Sequence, residues 1–338
     1  MSTIEGSAVQ FVAPGEVDVV GLERPETGPE EVGVETVISA VSAGTELLVY
    51  HGNVDAETAA DEELPALDGT LSYPLRYGYA AVGKVTTVGS RVDPAWHGRT
   101  VFAFNPHESY FSADPADLHP VPDGVAPEEA VFFPNVETAV NFALDAAPRV
   151  GERVAVFGQG VVGLLTTAIL SQTPVETLVA VEPHDMRRGL AAEMGADETI
   201  DPRGRDSAAA VRDVAGPVDI ALEVSGRPAT LETAVETTGY DGRVLVGSWY
   251  GTKRAEIGLG DHYHRGRISV ESSQVSTISP ELRGRWDTER RREEAWRRLE
   301  SLETGPLVTH RFDVDDAGDA YRRLTNRPEE TLQVLFTY

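Results

Sequence analysis

An α/β chain in two parts, a mostly-β unit followed by a doubly wound parallel sheet, is what the sequence predicts. Three observations carry that prediction. The 338 residues suffice for about two domains at roughly 150 residues each. Residues 1–135 hold short β-type runs punctuated by Gly and Pro. From Arg149 onward apolar strand-like runs alternate with helix-like ones, as parallel strands with helical crossovers require.

In order, residues 34–41, 81–88 and 100–104 read as strands of the first part. Residues 56–68 are acidic and lack apolar periodicity, so they read as a surface loop. In the second part, residues 154–157, 178–181, 218–223 and 243–247 are strands, and residues 162–171, 186–194 and 229–237 are the helices between them. A strand at 268–271, a charged helix at 288–302, a strand at 310–314, a helix at 317–324 and a strand at 333–336 complete the chain. The Arg- and Glu-rich helix reads as a solvated face supported by i,i+4 pairs.

With 41% hydrophobic and 25% charged residues the composition is that of a globular protein. No apolar run reaches the roughly 20 residues of a bilayer helix. The first residues lack a basic and apolar leader, so a cytoplasmic location is expected. Zero cysteines exclude disulfides, thiolate ligands and thiol nucleophiles. A net charge of −26 repels phosphate backbones and anionic bilayers, which argues against nucleic acid and membrane as partners. Only Lys84 and Lys253 are lysines, an acidic and lysine-poor balance that suits a salt-accumulating halophile.

Gly158-Gln159-Gly160-Val161-Val162-Gly163 follows the first α/β strand and opens a helix. In this pattern the first glycine makes the turn, the second lets backbone approach a pyrophosphate, and the third permits close helix packing. The helix start, with Val161 and Val162, offers N–H groups and a positive dipole end to phosphates. Glu182, at the end of the next strand, stands where a carboxylate binds ribose hydroxyls, which favours NAD. Arg187 and Arg188 nearby keep NADP open, since a guanidinium pairs with a 2′-phosphate.

The chain resembles the medium-chain dehydrogenase/reductase superfamily, the zinc alcohol dehydrogenase-like proteins. The matching pieces are Ser42-Ala43-Gly44-Thr45-Glu46, Gly78-Tyr79-Ala80-Ala81-Val82-Gly83, Gly98-Arg99-Thr100-Val101, Thr138-Ala139, the glycine motif, Gly195-Ala196-Asp197, Glu223-Val224-Ser225-Gly226 and Gly242-Arg243-Val244-Leu245-Val246-Gly247. The resemblance implies a GroES-like domain over residues 1–135 with residues 285–338 returning to it, a Rossmann domain over residues 136–284, and the cofactor in the cleft between them. It also implies that Thr138, Ser225, Gly226, Ser248 and Ser273 line the nicotinamide half of the cofactor. A homodimer is the assembly expected by the same resemblance.

Zinc-dependent members place metal ligands where this chain carries Ala43, Tyr79 and Ala80, and another near Pro134. No zinc is therefore expected. Asp261-His262-Tyr263-His264 places two imidazoles and a carboxylate close together, but in a strand one His and the Asp would point to opposite faces, and such a pair reads as solvated polar residues and not as a metal site. Without a Lewis acid, polarisation of a carbonyl falls to hydrogen-bond donors, for which Thr45, Tyr79 and His107 are the catalytic candidates. A phenol beside a nicotinium ring has its pKa lowered and acts as acid or base. The expected activity is zinc-independent, NAD(P)-dependent interconversion of a secondary alcohol and a ketone on a small polyol, sugar-like or hydroxyalkyl substrate. A quinone or enoyl reductase and a non-catalytic NAD(P)H sensor are the alternatives.

Overall fold

The structure, a computed structural model, describes residues 4–61 and 64–338. The first three residues, and Glu62 and Glu63 of the acidic stretch, lie outside the described residues. The chain divides into two compact units, Met1–Pro134 with Glu303–Tyr338, and Asn135–Leu302.

The first unit begins with the antiparallel hairpin β1 (Ile4–Ala13) and β2 (Glu16–Glu23), turned at Pro14-Gly15. Then come β3 (Val32–Ala40), α1 (Ala43–Tyr50), β4 (Ala81–Val88), β5 (Thr100–Ala103), β6 (Tyr110–Ala113), β7 (Leu118–Pro120) and the short α2 (Pro127–Ala130). β3 shows why these residues make sheet: Val34 and Ile38 are buried while Glu35 and Val37 between them are exposed, the period-two alternation of a strand with one wet face.

α3 (Phe133–Ala146) leads into the second unit. There β8 (Arg153–Phe157), α4 (Val161–Leu170), β9 (Thr177–Val181), α5 (Asp185–Glu193), β10 (Glu198–Ile200), α6 (Ser207–Ala215), β11 (Val218–Glu223), α7 (Thr230–Thr237), β12 (Thr238–Val246), β13 (Ser269–Ser272) and α8 (Thr288–Leu299) follow. The chain returns to the first unit with β14 (Val308–Asp313), α9 (Ala317–Asn326) and β15 (Gln333–Thr337).

β14, β15, β3, β4, β5 and β7 lie side by side in that order, with β6 also paired to β3. The sheet of the second unit runs β10-β9-β8-β11-β12-β13 with every pairing parallel. Its order reverses between β8 and β11, and in open α/β sheets ligands bind outside the carboxyl ends of the strands at such a switch point. Successive residues of β8 enter opposite layers: Ala155 and Phe157 join one apolar cluster, Val154 and Val156 the other. Burial on both faces is what an unbroken apolar strand requires.

Four features depart from the sequence reading. The β1–β2 hairpin lies outside the strand runs named above, although Glu16-Val17-Asp18-Val19 alternates as a strand does. The Asp261 to His264 segment is not a strand; Leu259–Tyr263 is a turn of π-helix, and His262 Nε2 meets the Thr238 carbonyl oxygen at 2.8 Å. The chain rejoins the first unit at Glu303, where 285 was expected. α8 stays in the second unit and is not a wholly solvated face. Arg291, Ala295 and Leu299, spaced i, i+4 and i+8, are its buried stripe. The Arg291 guanidinium reaches Glu137 Oε1 at 2.9 Å and Asn141 Oδ1 at 2.8 Å, both on α3, so a charged residue occupies a position that usually wants an apolar one.

Candidate active site

The glycine motif sits at the carboxyl end of β8, and its three glycines have distinct surroundings. Gly158 takes φ +98°, and a Cβ there would stand 2.5 Å from Ser225 Cα. At Gly163 an added Cβ would lie 2.0 Å from the Gly158 carbonyl oxygen, so the helix packs directly on the turn. A Cβ on Gly160 meets nothing within 4 Å. That residue is the N-cap of α4, so open space lies over the helix start, where Val161, Val162 and Gly163 have N–H groups without intrahelical acceptors. The cradle fits a pyrophosphate.

Glu182, just beyond β9, is 3% exposed. Its Oε2 accepts from the Gln159 amide at 2.8 Å and its Oε1 from the His184 amide at 3.0 Å. The carboxylate is thereby fixed against the glycine loop, and each oxygen keeps a second lone pair for a ligand hydroxyl. The two arginines part company. Arg188 donates to the Glu182 carbonyl at 2.7 Å and pairs with Asp185. The Arg187 guanidinium has its pKa lowered by burial, against which the nearby Glu182 carboxylate raises it and Arg227 adds to the lowering.

At the carboxyl ends of β11 and β12, Ser225, Gly226 and Ser248 are brought together. The Ser225 amide donates to Glu223 Oε1 at 2.9 Å, its hydroxyl donates to the same oxygen, and the Gly226 amide donates to Ser248 Oγ at 2.9 Å. Three further residues complete this cluster: fully buried Glu223, Tyr250 whose hydroxyl donates to Glu223 Oε2 at 2.5 Å, and Lys253 whose Nζ donates to the Gly226 carbonyl at 3.0 Å. Glu223 closes a recognised strand, and a buried acid there was the available signal; Tyr250 and Lys253 carried none. Burial lowers the pKa of Lys253 and raises that of Tyr250. Ser273 is used differently. Its hydroxyl donates to Asp145 Oδ2 at 2.5 Å and accepts from Asn141 at 3.1 Å, which fastens the segment after β13 to α3. Thr138 lies on α3, partly buried.

In the first unit Tyr79 and Thr45 meet: the Tyr79 hydroxyl donates to Thr45 Oγ1 at 3.2 Å, and both side chains are partly exposed. Without a dinucleotide beside it, the phenol holds its proton more tightly than a free one. Burial raises its pKa, and the hydroxyls of Ser42 and Thr45 only partly offset this. His107 is fully buried, with Nδ1 2.7 Å from Ser39 Oγ and Nε2 3.0 Å from Glu46 Oε2. Ala43, Tyr79, Ala80 and Pro134 are the residues at or near the positions where the resemblance expects zinc ligands. Methyl groups and a pyrrolidine have no lone pair, and one phenol does not make a tetrahedral nitrogen and sulfur site. Among the described residues no group of three or more His, Cys, Asp or Glu lies close enough to hold a metal ion, and no helix is long and apolar enough to cross a membrane.

Comparison with known proteins agrees with this geometry. The family of zinc-binding dehydrogenases matches residues 161–289, from the first residue of α4 into α8. An alcohol dehydrogenase of Cupriavidus necator is 25% identical, over 97% of this chain and 97% of its own. The solved structure of 2R,3R-butanediol dehydrogenase from Bacillus subtilis has a TM-score of 0.81 at 21% identity, covering 99% of this chain and 100% of that one. A structure described as a short chain alcohol dehydrogenase from Escherichia coli CFT073, complexed with NADH, has a TM-score of 0.79 at 18% identity, covering 98% and 99%. At these identities the two structures speak for the fold.

Proposed function

We propose that the chain, which is similar to zinc-binding dehydrogenases over residues 161–289 and to an alcohol dehydrogenase over 97% of its length, is a zinc alcohol dehydrogenase-like medium-chain dehydrogenase/reductase with a GroES-like unit and a Rossmann unit, and that it interconverts a secondary alcohol and a ketone on a small polyol, sugar-like or hydroxyalkyl substrate, without zinc. The observation that carries this reading is the open cradle at Gly160 with the buried Glu182 carboxylate locked to its loop. A nicotinamide dinucleotide supplies or accepts the hydride. Gly158, Gly160, Gly163 and the α4 amides of Val161 and Val162 hold its pyrophosphate, Glu182 and Arg187 its adenosine ribose, and Thr138, Ser225, Gly226, Ser248 and Ser273 border its nicotinamide half.

Tyr79 and Thr45 do the work that a Lewis acid does elsewhere in the superfamily. With substrate bound, the Tyr79 O–H turns from Thr45 to the ketone oxygen and gives up its proton as the alcohol forms; the Thr45 hydroxyl then donates to Tyr79 Oη, returns a proton to the phenolate and regains one from solvent. The sign of the pKa shift suits this role. A phenol raised above its ordinary value of about 10 holds its proton throughout the neutral range and loses it only in strong alkali. Tyr79→Phe is therefore expected to lower kcat for ketone reduction by about 10²- to 10⁴-fold, by the same factor from roughly pH 6 to 9, with the Kd for NADH unchanged. NADH oxidation at molar KCl with acetoin, other hydroxyketones, enones and quinones tests the whole proposal. Turnover confined to enones and quinones would replace it with the C=C reductase reading, and tight NADH binding without turnover on any of them would favour a sensor.

The coenzyme is NAD on this reading. Glu182→Ala is expected to raise the Kd of NADH by about tenfold or more, the scale of a hydrogen bond to a charged group, and that of NADPH by less, because a 2′-phosphate gains from removal of the acid. Fluorescence titration of the two reduced coenzymes measures both, and equal losses would remove the ribose assignment.

A further inference from the structure

Five polar side chains from distant parts of the first unit form one chain of hydrogen bonds, buried except at its partly exposed Tyr338 end. Glu46 on α1 is fully buried, and its Oε1 accepts from the Ser42 amide at 2.6 Å. Its Oε2 accepts from the Tyr321 hydroxyl of α9 at 2.5 Å and meets His107 Nε2 at 3.0 Å. His107 Nδ1 lies 2.7 Å from Ser39 Oγ, which lies 2.8 Å from the Tyr338 hydroxyl. One set of donors satisfies every group. Tyr338 donates to Ser39, Ser39 to Nδ1, and Nε2–H to Glu46, which also accepts from Tyr321 and from the Ser42 amide. No nitrogen of His107 is left for a substrate.

This chain grips both halves of the hydroxyl pair. Through Glu46 it holds the Ser42 amide and the first turn of α1, on which Thr45 is the neighbouring residue. Through the imidazole it abuts the backbone that carries Tyr79. A Cβ on Gly78, whose φ is +115°, would stand 2.6 Å from both His107 Cδ2 and Nε2. A fully satisfied buried polar network is rigid and costly to disturb, whereas a hydroxyl contact of 3.2 Å between partly exposed residues has little stiffness of its own.

We infer that His107, braced by Glu46, is the positioning residue that sets the Thr45–Tyr79 hydroxyl pair. The claim rests on the function proposed above and assigns His107 a place behind the donors, not among them. It separates this chain from one in which a metal ion fixes the same two segments. Here an acid and an imidazole, 61 residues apart in sequence, fill the interior and do the fixing.

The test uses the full chain labelled with [¹³Cζ]tyrosine, in which the Tyr79 resonance is assigned by its loss in Tyr79→Phe. Two variants are compared with the parent: Glu46→Gln, which keeps the shape and changes the hydrogen bonds, and His107→Phe, which keeps a ring without nitrogens. In both, the Tyr79 resonance is expected to move. With 2,3-butanediol and NAD as probe, kcat falls about tenfold, a modest part of what a misplacement near 1 Å costs; KM stays within about twofold, and the Kd for NADH, held by the other unit, is unchanged. An unmoved Tyr79 resonance in both variants overturns the inference whatever the kinetics show. If His107→Phe does not fold, Glu46→Gln decides alone. If the resonance moves but Tyr79→Phe itself leaves kcat intact, the positioning stands and the proposed role of the phenol falls.

Discussion

Gly158→Ala is expected to cost the protein about 3 kcal/mol and its coenzyme together. The residue's φ of +98° is a left-handed conformation that costs an L side chain roughly 1–2 kcal/mol. The new methyl stands 2.5 Å from Ser225 Cα, a backbone atom that cannot swing aside, and overpacking of this kind adds about 1–3 kcal/mol. Relief comes only by parting the β8 turn from the β11 turn, which moves the loop that holds the dinucleotide. Gly160→Ala makes the control, because its methyl meets nothing within 4 Å. Its melting temperature should be that of the parent while the Kd for NADH rises at least about tenfold, since the methyl enters the space left for the pyrophosphate. Thermal melts and NADH fluorescence on the two variants measure both effects. Full NADH affinity in Gly160→Ala would show that the cradle is not where the phosphates lie.

Arg291→Ala should damage stability at least as much, with no direct effect on chemistry. The guanidinium is 1% exposed and spans Glu137 at 2.9 Å and Asn141 at 2.8 Å. Deleting it strands a carboxylate that is 3% exposed and leaves it the looser Arg292 contact at 3.5 Å. Breaking one partner of a buried ion pair costs about 3–5 kcal/mol, which lowers the melting temperature by about 10 °C for a unit of this size. The double change Arg291→Met with Glu137→Leu should recover much of that loss, because two apolar side chains no longer need each other's charge. If the single and double variants melt alike, the pair is not what fastens α8 to α3.

What could be read from the sequence was local. The glycine motif, its strand and its helix are contiguous, and Glu182 follows at a fixed spacing, so the turn, the helix start and the acid beside them could be placed together from the sequence. The parallel strands were legible because burial on both faces leaves unbroken apolar runs, as in Val154 to Phe157. Arg291 was misread with its helix, since charge density marks a solvated face unless a distant acid takes one member inside, and Glu137 is 154 residues away. His107 likewise gave no sign that Ser39, 68 residues earlier, and Glu46 would take both its nitrogens. Thr45 and Tyr79 could be named from their motifs, but not that their hydroxyls touch.

Lys253 gives the molecule an address for chemical labelling. Arginine supplies nearly all of the positive charge, so the side-chain amines are confined to two places in 338 residues. Lys253 is exposed yet sheds its proton more readily than a free amine, and its nitrogen touches the carbonyl of Gly226. With Lys84 replaced by arginine and the α-amine blocked, a succinimidyl fluorophore applied under mildly alkaline conditions would therefore land beside the turn after β11, turning a single residue into an optical reporter of occupancy.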